Sequence, residues 1–157
     1  MSSPAPALSR VLCATDLSEF GDRAVPYAFS LAAPGGHVTL LHVLHKASVP
    51  SPLVPHYGER HASEDELAAQ ERDVAARLAA LGREGAGVGF EARVVRAAHV
   101  GPAILDEAAR LDVDVICLAT HSRTGLPQLI LGSTAQQVLH GAGRPVLLLP
   151  SPVARRD

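Results

Sequence analysis

The residue types suited to binding a phosphate group are concentrated near the end of the chain. An apolar run from Val115 to Ala119 is followed by a loop and then by Gly132, Ser133 and Thr134, which open a helical pattern. In α/β proteins this order places the free N–H groups of a helix's first turn at the carboxyl edge of a parallel sheet, where they attract phosphate oxygens. The sequence therefore predicts a phosphate contact at Gly132, Ser133 and Thr134. Helix capping by Ser133 alone would explain the same residues.

The spacing of small residues before this helix carries a resemblance to a known family. Ala119 is followed by two residues, then by Ser122, then by nine residues and Gly132-Ser133. This arrangement resembles the universal stress protein family, whose nucleotide-binding members have glycine at all three positions. The resemblance spans about residues 9–150 and implies an ATP- or AMP-binding stress-response protein that acts as a ligand-sensing or partner-binding dimer. The alternative is the family branch without nucleotide binding, which acts only as a dimeric interaction protein.

The same resemblance implies contacts at three other strand ends. Thr15 and Asp16 follow the first predicted strand, where the family's aspartate reaches the adenosine part of the ligand. An ordinary Asx turn is the alternative interpretation of Asp16. Val43 corresponds to the valine that lies against adenine and offers its backbone groups. Ala98 stands where the family often has another glycine near the phosphates.

The loop after the fourth predicted strand resembles the family's loop as well. His121, Ser122 and Arg123 belong to it, and Arg123 is either a charged donor to phosphate or a solvated loop arginine. If the family's glycines are needed for positive φ, Ala119 and Ser122 each cost roughly 1–2 kcal/mol, or about tenfold in affinity. Both residues are small and leave the pocket open. We therefore expect a weakened but present nucleotide site.

The expected ligand is ATP, with AMP or ADP as alternatives, bound with or without Mg²⁺. The sequence contains no Gly-x-x-x-x-Gly-Lys-Ser/Thr loop and no Gly-x-Ser-x-Gly elbow. It also lacks the Ser-Gly-Gly-x-Asp loop that a related ATP-using ligase would have after its first strand. The eight histidines show no metal-ligand spacing. We expect no enzyme beyond very slow ATP hydrolysis, and no metal site.

The composition excludes several classes of partner. The chain has 157 residues and a net charge of −2 that is mixed along the sequence. It therefore offers no basic stripe for nucleic acid. No run of twenty apolar residues offers a membrane span. Cys13 and Cys117 each lie within an apolar run and are predicted to be reduced thiols of the core. We expect a cytoplasmic protein with one domain over residues 8–150 and flexible tails at 1–7 and 151–157.

Apolar runs alternate with helical patterns, which predicts an α/β fold with a parallel sheet and helices on both faces, Rossmann-like in architecture. The resemblance implies the strand order 3-2-1-4-5. The prolines of residues 45–62 predict a surface loop there. The predicted strands are Arg10–Ala14, Val38–Leu44, Val88–Val95, Val113–Ala119 and Val146–Leu149. The predicted helices run from Ser18 to Ala33 with a late start or kink at Pro26, from a capping box at Ser63, from Gly101-Pro102, and from Gly132 to Ala142 with Leu139 inward.

The last strand, residues 146–149, is continuously apolar yet ends the sheet in this order. An uncovered apolar edge invites uncontrolled pairing, so something must cover it. The family's arrangement is a two-fold dimer in which the two last strands meet. The sequence therefore predicts a homodimer through residues 146–149, with a further protein partner that it does not identify.

Overall fold

A computed structural model describes residues 6–45, 63–83, 85, 87–120 and 131–150. Strands and helices alternate through these residues, as the sequence predicts. The strands are β1 (Arg10–Ala14), β2 (His37–His45), β3 (Gly89–Ala97), β4 (Val115–Thr120) and β5 (Val146–Pro150). The helices are α1 (Glu19–Asp22), α2 (Ala24–Leu31), α3 (Glu64–Arg83), α4 (Val100–Arg110) and α5 (Ser133–Gly141).

The five strands form one parallel sheet in the order β3-β2-β1-β4-β5, which confirms the predicted order. The order reverses between β1 and β4, the first strand and the fourth. Ala14 at the end of β1 lies beside Leu41 of β2 and Leu118 of β4. In open parallel sheets, ligands bind at the carboxyl ends of the two strands where the order reverses.

Side chains alternate between the two faces of the sheet and fill two apolar clusters. Val11 and Cys13 of β1 pack with α2 and α3 on one face. Leu12 and Ala14 pack with α4 and α5 on the other. The result is a three-layer α/β domain in which β1 and β4 are buried on both faces of the sheet.

One predicted core residue is exposed. Leu139 of α5 was expected to face inward with Ala135 and Val138, yet 41% of its surface is exposed. Ala135 and Val138 are buried against the sheet. The prediction for Leu139 is wrong because a nine-residue helix over the edge of a sheet buries a narrow stripe, and Leu139 lies beside that stripe.

The prediction for the first helix is confirmed in its start and its irregularity. Ser18 caps α1, its side chain accepting a hydrogen bond from the Gly21 N–H. The helix is then interrupted at Arg23 and resumes as α2, in which Pro26 occupies the first turn. Proline is tolerated there because a first-turn residue needs no N–H donor to an earlier carbonyl. The chain thus breaks before Pro26 rather than kinking at it.

The capping box at Ser63 is also confirmed. The Ser63 N–H donates to Glu66 Oε2 at 2.8 Å, and the Glu66 N–H donates to Ser63 Oγ at 3.2 Å. This exchange satisfies two N–H groups at the start of α3. The predicted surface loop of residues 45–62 lies outside the described residues except for His45, which ends β2.

Candidate functional site

A cavity of about 570 Å³ opens at the carboxyl edge of the sheet, between the ends of β1 and β4. The neighbouring β2 and the first turns of α4 and α5 complete its walls. Buried apolar side chains such as Leu41, Ile104 and Leu118 form part of the lining. The cavity is therefore suited to a ligand with a flat apolar part and a polar part. Its described lining residues are Ala14, Thr15, Asp16, Gly21, Leu41, His42, Val43, Val100, Ile104, Leu118, Ala119, Thr120 and Leu131 to Ala135.

The polar group on the β1 side of the cavity is the Asp16 carboxylate. Asp16 Oδ1 accepts hydrogen bonds from the Ser18 N–H at 3.0 Å and from the Ser18 hydroxyl at 2.5 Å. Gly21 lies directly against this carboxylate, and a Cβ atom at Gly21 would overlap Asp16 Oδ1. The Asx turn that the sequence suggested as an alternative is therefore present. The turn orients the Asp16 carboxylate at the cavity, so an Asx turn and a ligand contact are compatible interpretations of Asp16.

Thr15 is buried and links three elements. Its N–H continues the pairing of β1 with β2 by donating to the Leu41 carbonyl at 3.0 Å. Its hydroxyl donates to Asp22 Oδ1 at 2.7 Å and accepts from the Leu17 N–H at 3.0 Å. Thr15 thus acts through its own hydrogen bonds to shape the turn around Asp16.

The polar group on the opposite side is the start of α5. Gly132 is the N-cap residue and has no side chain, so no side-chain cap hydrogen bond forms. The Gln136 N–H donates to the Gly132 carbonyl at 3.0 Å, so the N–H groups of Ser133, Thr134 and Ala135 precede the first intrahelical hydrogen bond and have no partner within the helix. These N–H groups lie at the positive end of the helix dipole and attract an anion.

Ser133 therefore does not cap α5. It is the first residue of the helix, exposed and at the cavity, while Gly132 takes the cap position. The alternative that helix capping by Ser133 explains the Gly-Ser-Thr step is wrong. Its hydroxyl remains available beside the free N–H groups.

Thr120 connects the end of β4 to this helix start. Its hydroxyl accepts a hydrogen bond from the Gly132 N–H at 3.2 Å, across the segment 121–130. The side chain is buried and lines the cavity. Sequence reasoning missed Thr120, and the available signal was its position beside Ala119 in the motif. It missed Gly21 as well, because only the folded turn shows how near Gly21 comes to Asp16.

Seven of the eleven predicted site residues line this one cavity, namely Thr15, Asp16, Val43, Ala119, Gly132, Ser133 and Thr134. Ala98 does not line it: the residue is exposed and follows β3 at the same edge of the sheet. His121, Ser122 and Arg123 lie outside the described residues. The described lining contains no lysine or arginine, so its donors to an anion are N–H and hydroxyl groups.

The backbone strain expected at Ala119 is absent, and Ser122 lies outside the described residues. Among the described residues other than glycine, positive φ occurs at Leu17 and Asp112. Ala119 and Ala98 therefore have φ angles that any L-residue adopts, and Ala119 carries no backbone strain of the expected kind. Ala119 is the fifth residue of β4, where extended backbone suits any L-residue.

The two cysteines are buried thiols of the core, as predicted. They are register partners on β1 and β4. Burial raises the pKa of Cys117 to about 12. Burial, together with Cys117 and Asp22 nearby, raises the pKa of Cys13 well above its usual range. Neither thiol is thus a nucleophile at neutral pH.

The described residues hold neither a cluster of metal-ligating side chains nor a helix able to span a membrane. They contain no group of three or more His, Cys, Asp or Glu side chains arranged to hold a metal ion. No helix within them has the length and apolar character needed to cross a bilayer.

Comparisons with known proteins agree on one family. Residues 8–150 match the sequence model of the universal stress protein family. The chain is 51% identical over 51 residues to universal stress protein A homolog 2 of Coxiella burnetii. That match covers 31% of this chain and 34% of the relative, so it spans about a third of the relative's length.

Solved structures share the fold. A universal stress protein in complex with cAMP is similar with a TM-score of 0.64 at 19% identity, over 93% of this chain and 99% of that chain. The universal stress protein from Archaeoglobus fulgidus in complex with dAMP has a TM-score of 0.58 at 23% identity, over 90% of this chain and 96% of that chain. At these identities the likeness establishes the architecture.

Proposed function

The chain belongs to the universal stress protein family, and we propose that it binds an adenine nucleotide in the cavity between β1 and β4. One observation carries the proposal: the same cavity joins the Asp16 carboxylate to the uncapped start of α5, with an apolar lining between them. A carboxylate suits the hydroxyl and amino donors of an adenosine. Free helical N–H groups suit its phosphate.

Two further observations support this assignment. Val43 lines the cavity, and the family resemblance implies that a valine at this position lies against adenine. The structurally similar proteins described above were solved with cAMP and with dAMP, which are both adenine nucleotides. We propose ATP as the ligand, with AMP and ADP as alternatives. Mg²⁺, if it takes part, would be held chiefly by the phosphates themselves.

Titration calorimetry of the purified protein with Mg-ATP, AMP and adenosine tests the proposal. We expect dissociation constants for ATP between roughly 1 and 100 µM, or about −8 to −5.5 kcal/mol. Guanosine triphosphate serves as the control nucleotide. The absence of heat and of any thermal shift at about 1 mM of each adenine ligand would refute the proposal. The family branch without nucleotide binding would then be the better assignment, and Ala119 and Ser122 in place of glycines are the features that favour it.

We propose a binding protein rather than an efficient enzyme. The cavity brings no nucleophile and base together among its described residues, and no lysine or arginine that would stabilise a transferring phosphoryl group. ATP hydrolysis slower than about one turnover per minute is the expected ceiling, whereas enzymes typically turn over at about 1 s⁻¹ or faster. A malachite-green assay of released phosphate measures it. The proposed compartment is the cytoplasm.

We also propose that the protein is a homodimer through β5. This strand lies at the edge of the sheet, and its residues Val146 to Leu148 are half-buried within the chain. A two-fold contact uses the same edge twice and so closes it. Sedimentation at low micromolar concentration should show a dimer. Leu148→Asp should shift it to monomer or aggregate, whereas Leu139→Asp, an exposed leucine on α5, should not. A stable monomer of the unaltered protein would refute this proposal.

A further inference from the structure

The turn that carries Asp16 contains an unusual backbone conformation. Leu17 has a φ of 59°, in the left-handed region that L-residues other than asparagine and aspartate rarely adopt. Its side chain is 8% exposed and packs in the core between the sheet and α2 and α3. A residue in such a conformation persists only where its surroundings hold it, and these residues cluster at functional sites.

The Leu17 carbonyl is held by a side chain from a distant part of the chain. Arg77 Nη2 of α3 donates a hydrogen bond to this carbonyl oxygen at 2.8 Å. Arg77 lies between Val74 and Leu78, which are buried in the same core cluster as Leu17. The buried neighbours of Arg77 hold α3 against the turn at Leu17, so the position from which the guanidinium reaches the carbonyl is fixed by the core.

The carbonyl on the other side of Asp16 is held as well. His42 Nδ1 lies 2.9 Å from the Thr15 carbonyl oxygen. A carbonyl oxygen only accepts, so the ring must carry its proton on Nδ1 to make this bond. Asp16 is therefore flanked by two residues whose carbonyls are each bound by a side-chain N–H donor, one from β2 and one from α3.

Arg77 does not line the cavity, and nothing in its own sequence context relates it to the site. We propose that Arg77 is a positioning residue for the nucleotide site: its hydrogen bond holds Leu17 in the left-handed conformation and so fixes the Asp16 carboxylate at the cavity. The inference rests on the proposed function, because it assigns Arg77 a role in binding the adenosine part of that ligand.

A double-mutant cycle tests the inference in the full-length protein. Arg77→Met removes the donor while keeping the length of the side chain. Arg77→Lys keeps one charged donor. Arg72→Met is the matched control, since Arg72 is an exposed arginine of the same helix without a hydrogen bond to the turn among the described residues. Affinities for adenosine and AMP are measured by calorimetry in the unaltered background and in the Asp16→Ala background, each well below the variant's melting temperature.

We expect Arg77→Met to weaken adenosine and AMP equally, by about fivefold, as the loss of a charged hydrogen bond permits. Arg77→Lys should recover part of this loss, and Arg72→Met should change affinity less than about 1.5-fold. In the Asp16→Ala background, Arg77→Met should cost less than about twofold, because its effect passes through Asp16. A loss of the same size in both backgrounds would overturn the role of Arg77 while leaving the proposed function intact.

A second measurement needs no ligand. In the free protein, Arg77→Met should move the backbone amide resonances of Asp16 and Leu17, and Arg72→Met should not. Unchanged resonances in Arg77→Met would overturn the inference even where nucleotide binds. Absence of adenosine, AMP and ATP binding by the unaltered protein would instead refute the proposed function, and the role of Arg77 in it would fall as a consequence.

Discussion

Two helix starts, those of α1 and α5, lie at the same cavity and differ in how their N–H groups are satisfied. At α1, Ser18 caps the helix and itself donates to Asp16, and Glu19 and Asp22 add negative charge to the first turn. At α5, Gly132 provides no cap and the first turn has no acidic residue. Carboxylates of the protein therefore lie at the start of α1, whereas the start of α5 has no side-chain cap and no acidic residue in its first turn.

Under the proposed function, this difference predicts which end of the cavity binds each end of a nucleotide. A phosphate at α1 would lie beside the Asp16 carboxylate, with Glu19 and Asp22 in the same helical turn, so we expect repulsion to exclude it there. At α5 we expect it to meet the N–H groups of the first helical turn and the hydroxyl of Ser133. We therefore expect the neutral, donor-rich adenosine to bind at the α1 end of the cavity and the phosphate to bind at the α5 end. Substitutions that make the two helix starts alike should have the largest effects on binding.

Gly132→Asp gives α5 the kind of anionic cap that α1 already has. We expect at least a hundredfold loss of ATP affinity, about 2.7 kcal/mol, because the new carboxylate occupies the free N–H groups and repels phosphate. Adenosine affinity should change less than about threefold. Calorimetry with both ligands measures the split, and Gly132→Asn is the control that caps without charge. Equal losses for adenosine and ATP would show that phosphate does not bind at α5.

Gly21→Ala disturbs the other end. The added Cβ would overlap Asp16 Oδ1, so the carboxylate must leave its position between Ser18 and Gly21. We expect about a tenfold loss of affinity, the same as for removing the carboxylate, alike for adenosine, AMP and ATP, since the phosphate end is untouched. Gly89→Ala is the control, because a Cβ there comes no nearer than 3.2 Å to the His37 side chain. Retention of full adenosine affinity in Gly21→Ala would mean that Asp16 does not contact the ligand.

Asp16→Ala and Ser133→Ala compare the two ends directly. Asp16→Ala should weaken every adenosine ligand by about tenfold, the usual loss for a hydrogen bond to a charged group. Ser133→Ala should weaken ATP by about fivefold and leave adenosine unchanged, since Ser133 is expected to meet only phosphate. Competition binding against a fluorescent ATP analogue resolves both effects. A Ser133→Ala loss that is the same for adenosine and ATP would contradict the division of the cavity.

Ala119→Gly should have the smallest effect. The residue lies in β4 with an ordinary φ, so glycine relieves no strain there. We expect less than a twofold change in ATP affinity and a small loss of stability, about 0.5–1 kcal/mol, from the added freedom of glycine in a strand. Calorimetry and thermal unfolding measure the two quantities. A gain of tenfold in affinity would show that close approach of the ligand to β4 limits binding.

Local patterns in the sequence were sufficient for much of this molecule. Alternating apolar runs and helical patterns predicted every strand to within about two residues. A strand buried on both faces, such as β1 after its first residue, is continuously apolar, and the edge strand β3 alternates apolar and polar residues. The capping residues Ser18 and Ser63 were predictable, since a cap satisfies N–H groups only two or three residues away. The sheet order came from the resemblance, and it brought Asp16 and Ser133 to one edge.

The tertiary structure decided what lies between residues that are distant in the chain. It showed that Gly132 rather than Ser133 is the cap of α5 and that Leu139 faces solvent. It also showed that the Thr120 hydroxyl accepts a hydrogen bond from the Gly132 N–H. It also brought Arg77 to the Leu17 carbonyl, sixty residues away. Periodicity and spacing predict which face of its own helix or strand a residue occupies. A hydrogen bond between two elements depends on how both pack, and that is set by the whole core at once.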